Sequence, residues 1–121
     1  MPSTPRKLTT HQKTVLIQVL LAFPEQQVAV CYDPSAADAL AYAHDFLTVF
    51  KAIGWDVNGA PSQMANGKFE GLAFVLSGET ALPPGAEALR DVLRIYGMEI
   101  AILSDSIRDL SPSAFVLAVG P

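Results

Sequence analysis

Three short polar segments stand directly behind apolar runs, and they are the residues best suited to hold a ligand. Asp33-Pro34-Ser35 follows the run 28–32, Ser77-Gly78-Glu79-Thr80 follows 72–76, and Ser104-Asp105-Ser106 follows 99–103. If these runs are strands of an open parallel sheet, ligands bind outside their carboxyl ends. Helix amino termini near the first two segments would offer free N–H groups to an anion. The expected site is therefore Asp33, Ser35, Ser77, Gly78 and Thr80, for a small polar or phosphorylated ligand. A second version uses Asp33, Glu79 and Asp105 as oxygen ligands for Mg²⁺. A simpler reading needs no ligand: Ser, Asp and Thr at strand-to-helix joints cap helices and close turns.

Little else in the chain assembles a reaction. The Gly-x-Gly-x-x-Gly and P-loop patterns of nucleotide sites are absent, as are the Ser nucleophile elbow and His-x-x-x-His metal spacing. A phosphoacceptor domain would need paired acids after the first strand and a lysine after the last, and the sequence has one acid and no such lysine. His11 and His44 fall on separate predicted helices and read as solvated side chains. No catalytic residue, metal ligand or cofactor is assigned, and an enzyme ranks last among the functional readings.

Composition narrows the classes further. The chain has 121 residues, half of them hydrophobic and 17% charged, which suits one domain with one core and excludes a disordered, solvating protein. A net charge of −4 with scattered Lys and Arg argues against nucleic acid, since phosphate backbones demand clustered cations. The lone Cys31 precludes an internal disulfide and fits a small hydrophobe in a reducing, cytoplasmic compartment. The longest apolar run, 15–23, is broken by Gln18 and far short of the roughly 20 residues a membrane helix needs. Residues 1–5 lack the apolar stretch of a signal peptide.

The elements that would position the candidate site follow from periodicity. Residues 1–8 read as an irregular leader and 9–121 as one domain. Thr9 and Gln12 have capping-box spacing, and Val15, Leu16, Val19, Leu20 and Phe23 then share one helical face up to Pro24. Ile17 and Leu21 lie off that stripe. This second apolar side is explained equally by neighbouring loops or by contact with another subunit or another part of a longer protein; on the subunit reading Ile17 and Leu21 form the expected homodimer interface. A strand at 28–32 and a long helix over 35–53 come next, with Gly54 closing the helix and a short strand beginning at Trp55. The stretch 58–70, with Asn58-Gly59, Pro61 and Asn66-Gly67, reads as a loop carrying Met64 and Phe69. A strand at 72–76, a helix at 86–96 stopped by Gly97, and strands at 99–103 and 114–119 complete the pattern.

Two segments share one grammar. Residues 50–57, FKAIGWDV, and 93–100, LRIYGMEI, each run from an amphipathic helix through a closing glycine to a large apolar residue, an acid and a β-branched residue. Each follows an apolar strand, so the chain contains a doubled strand–helix–strand unit, the signature of parallel pairing through a helical crossover. The strands are apolar throughout and do not alternate, which predicts burial on both faces. The expected fold is therefore a three-layer, Rossmann-like or flavodoxin-like α/β domain. Its mostly parallel sheet has about five strands from two βαβ units, plus an amino-terminal helix. The alternative is a two-layer ferredoxin-like α+β arrangement.

Lys7-Leu8-Thr9 with Gln12, the Gly54-Trp55-Asp56-Val57 turn, Gly71-Leu72 and the closing Val119-Gly120-Pro121 resemble a small bacterial α/β domain of uncharacterised function. That domain often sits carboxy-terminal to a membrane helix or coiled coil, and the likeness covers most of residues 7–121. It implies no catalytic residues, and it implies that the chain either stands alone or forms the soluble part of a membrane-tethered protein. The expected function is a non-enzymatic module that binds a small polar ligand or a protein partner. The alternative is a structural domain that dimerises through its first helix.

Overall fold

The computed structural model describes residues 7–23, 26–57, 61–63, 71–77, 82–105 and 114–120. Their order is α1 (Thr10–Leu20), β1 (Gln27–Tyr32), α2 (Ala39–Ala52), β2 (Asp56–Val57), β3 (Ser62–Gln63), β4 (Leu72–Ser77), α3 (Pro84–Ile95), β5 (Ile100–Asp105) and β6 (Phe115–Val119). The chain is α/β, with a mixed, mostly parallel sheet in the order β2-β1-β6-β4-β5. β3 pairs with β1 beyond β2, so two short strands share one edge. The pairing Ser62–Gln63 falls inside the stretch that the sequence presents as a plain loop.

The local signals explain most boundaries. The Thr9 hydroxyl accepts from the Gln12 N–H, and the Gln12 carboxamide accepts from the Thr9 N–H, so the capping box starts α1 as its spacing predicts. Leu8, assigned by sequence to the leader, is buried, and its N–H donates to Asp45 of α2. α2 and α3 end identically. The N–H of Trp55 bonds the carbonyl of Phe50 while Gly54 bonds Lys51; the N–H of Met98 bonds Leu93 while Gly97 bonds Arg94. With both glycines at φ +78°, each end is a Schellman motif, the structural form of the shared grammar. α2 begins later than periodicity predicts, at Ala39 rather than Ser35. The Asp33 carboxylate accepts from both the N–H and the hydroxyl of Ser35, closing a turn that competes with helix there.

Both strand–helix–strand units form parallel pairs, β1 with β2 and β4 with β5. They do not run the same way. β6 lies between them, parallel to β1 and antiparallel to β4, so the two units point in opposite directions. Turning one unit half a revolution about an axis perpendicular to the sheet leaves its helix on the original face. With both crossovers right-handed, α2 and α3 share that face, and α1 packs between them. A core of Leu16, Leu20, Phe46, Phe50, Leu89 and Leu93 from the helices meets Val30, Phe74, Phe115 and Leu117 from the sheet.

The three-layer expectation is therefore corrected: the described helices form one layer on one side of the sheet. Continuous apolar strands predicted two covered faces, but the rule behind that prediction assumes that all strands run alike and alternate their crossovers. The ferredoxin-like order is not found either, because each unit pairs its own two strands side by side. The second apolar side of α1 has its cause in the same layer. It faces neighbours on two flanks, and Ile17 packs partly buried against the chain's own core.

Aromatic rings tie the layers together. Phe50 stacks on Trp55 at 5.2 Å, Trp55 meets Phe115 edge-on at 6.2 Å, and Phe115 meets Phe74 at 5.0 Å. The indole N–H of Trp55 donates to the Phe23 carbonyl at 2.8 Å and so ties the exit of α1 to the turn between α2 and β2.

Candidate functional site

The opposed directions of β1 and β4 decide the fate of the expected pocket. Register aligns Tyr32 with Val119 and Val119 with Leu72, so the carboxyl end of β1 lies beside the amino end of β4. Asp33 continues that row, its N–H bonded to the Val119 carbonyl. Ser77 stands at the other end of β4, paired with Asp105. At ~3.3 Å per residue, five residues of strand put roughly 17 Å between the two ends. Asp33 and Ser35 are together; Ser77 is not with them, and Gly78 and Thr80 lie outside the described residues. The same separation divides Asp33 from Asp105, and Glu79 falls outside the described residues.

What Asp33 and Ser35 do is local. Their hydrogen bonds of 2.7 Å to the hydroxyl and 2.9 Å to the N–H hold the Asp33 carboxyl below its ordinary range. Both donors of Ser35 are spent on that turn. His11 sits edge-on to Tyr96 at 6.3 Å, and His44 is exposed on α2. Among the described residues no three His, Cys, Asp or Glu side chains come together in a metal-binding group, and no helix is long and apolar enough to cross a membrane.

The sheet itself carries a feature that sequence reasoning missed. Residues whose side chains point away from the helices form two aligned rows across β1, β6, β4 and β5: Cys31, Ala118, Ala73, Ala101, and Ala29, Val116, Val75, Leu103. All eight are apolar. None belongs to the helix-side core or packs against it. Ala73 and Ala118 are buried, Ala101 is exposed, and the other five are half-buried. With strands about 4.8 Å apart, the face is roughly 20 Å wide and flat, since half its residues are alanine. Cys31 on this face has its thiol pushed up to about 11 by burial, so it stays protonated at neutral pH.

The signal for this face was present in the sequence as the missing polar alternation. It was legible as apolar strands, though not as strands whose second side lacks a helix. The expected dimer residues divide: Ile17 is half-buried in the core, while Leu21, at the carboxyl cap of α1, is 56% exposed. Comparison of the chain with family models, curated proteins and solved structures finds no match.

Proposed function

We propose that this domain is a non-enzymatic protein-interaction module, and that the sheet face opposite the helices receives another polypeptide. One observation carries the reading: eight apolar side chains in register on a face that no described helix covers. A sheet with water on one side normally alternates apolar and polar residues. An apolar face that keeps no such alternation is what a binding surface requires. Small residues favour a polypeptide over a small polar ligand, because they allow close approach and offer no hydrogen-bonding groups. Asp33 and Ser35 support a ligand less well, since each already satisfies the other.

The test uses Val75→Thr with Val116→Thr, directly opposed on β4 and β6. Threonine keeps the β-branched shape and adds a hydroxyl. On an accessible face the pair changes stability by under about 1 kcal/mol, and it lowers the binding of a hydrophobic dye that the native chain takes up. A native chain that binds no dye, with the double variant destabilised by more than about 3 kcal/mol, would overturn the reading, because the hydroxyls would then be buried without partners.

A further inference from the structure

The two edges of the sheet are unlike. One consists of β2 and β3, two residues each, with Pro61 between them, which is how natural sheets blunt an edge. The other is β5, six continuous residues, Ile100-Ala101-Ile102-Leu103-Ser104-Asp105, without proline, glycine or lysine. Among the described strands β5 pairs only with β4. Ala101 is exposed on one face and Ile102, 46% exposed, on the other, so both sides of this edge are open. Such an edge is a template for a further strand.

We infer that the strand completing it is β5 of a second copy, running antiparallel. This goes beyond the reading above, since it uses the edge and not the open face. Two-fold symmetry limits the choices. The axis between identical antiparallel strands stands perpendicular to the sheet, so directly opposed residues must share a face and a residue must lie on the axis. With Ile102 on the axis, Glu99 falls opposite Asp105 twice, and like charges directly opposed are destabilising. With Ala101 on the axis, Ile100 falls opposite Ile102 twice, Ala101 meets itself, and no two acids are opposed. The second register pairs apolar with apolar at its centre and gives Ile102 the neighbours it lacks.

A six-residue edge covers less than the roughly 800 Å² per partner of a standard interface, so the dimer is expected to be weak and concentration-dependent. Light scattering should show the mass rising from 12.9 kDa toward about 26 kDa as the chain is concentrated from about 10 μM to about 1 mM. Ile102→Lys, at an exposed position, should stay folded by circular dichroism and remain monomeric throughout. Ala101→Cys in a Cys31→Ser background should form an intermolecular disulfide under mild oxidation. Opposed Cα atoms about 4.5–5.5 Å apart fall within disulfide reach, whereas Ile102→Cys, offset by two residues, should not cross-link. A chain monomeric at 1 mM would overturn the inference, as would cross-linking through position 102 in place of 101. A dimer that survives Ile102→Lys would also overturn it; if Val116→Lys dissolved that dimer, the association would belong to the open face and support the earlier reading instead.

Discussion

Gly85 lies directly against Trp55. A β-carbon added at Gly85 would meet ring atoms Cζ2 and Cη2 at 3.0 Å, with Gln26 Oε1 also at 3.0 Å. The indole cannot retreat, because it is stacked on Phe50 and hydrogen-bonded through its N–H to Phe23. The first turn of α3 therefore lies so close to the Trp55 ring that a methyl group at position 85 requires a neighbour to shift.

Gly85→Ala should destabilise the domain by about 1–2 kcal/mol. Overpacking costs of about 1–3 kcal/mol are partly offset by the roughly 1 kcal/mol better helix propensity of alanine. The midpoint of urea unfolding, followed by the fluorescence of Trp55, measures it. An unchanged midpoint would show that the ring yields.

Trp55→Phe should cost about 2–4 kcal/mol, from a smaller side chain in the core and an unsatisfied Phe23 carbonyl. It also removes the ring atoms that Gly85→Ala would strike. The double variant should thus be more stable than the two single costs summed, by about 1 kcal/mol. Additive costs would place the strain elsewhere, at Gln26.

The matching ends of α2 and α3 make a quantitative pair. Nothing lies within 4 Å of a β-carbon added at Gly54 or Gly97, and both have φ +78°. Alanine at either site meets backbone strain alone, so both variants should lose the same ~1–2 kcal/mol. Thermal melts of the two should superimpose; a difference above about 0.5 kcal/mol would mean that one end carries a further role.

Cys31 gives the alkaline behaviour a sign. Its thiol ionises near 9.0 when free of the fold and near 11 within it. The folded value is raised, so its contribution to stability is complete below pH 9 and is lost as pH rises through 11. Cys31→Ala should flatten that part of the pH–stability curve. Alkylation by iodoacetamide at pH 8 should be about 100-fold slower in the folded chain than in urea, as two pH units of thiolate fraction require.

Local order was readable from residue types, because its causes are local. Thr9 with Gln12, Gly54 and Gly97 each fix a helix end through bonds made within six residues. The shared grammar of 50–57 and 93–100 likewise reports two parallel units built alike. Sheet order was not readable, because it hangs on where Phe115–Val119 inserts, and an apolar strand carries no mark of its neighbours. That one placement reverses β4 relative to β1, parts Asp33 from Ser77 and gathers the helices on one side. The short pairing at Ser62–Gln63 was hidden for another reason: two residues have no periodicity, and β1 supplies the order from outside.

The central position of β6 has a consequence for how the chain acquires its shape. Among the described strands β1 and β4 touch each other nowhere in the ladder; each reaches the other only through β6, which follows both in sequence. Val28 must wait for Phe115 and Leu72 for Val119 before either unit gains its inner neighbour. While the polypeptide is being synthesised, the two units can each form a crossover but share no common sheet. Joining distant segments in this way slows folding and leaves sticky strand margins open meanwhile. The domain should therefore form late and all at once, when its keystone strand slides between two halves already shaped to flank it.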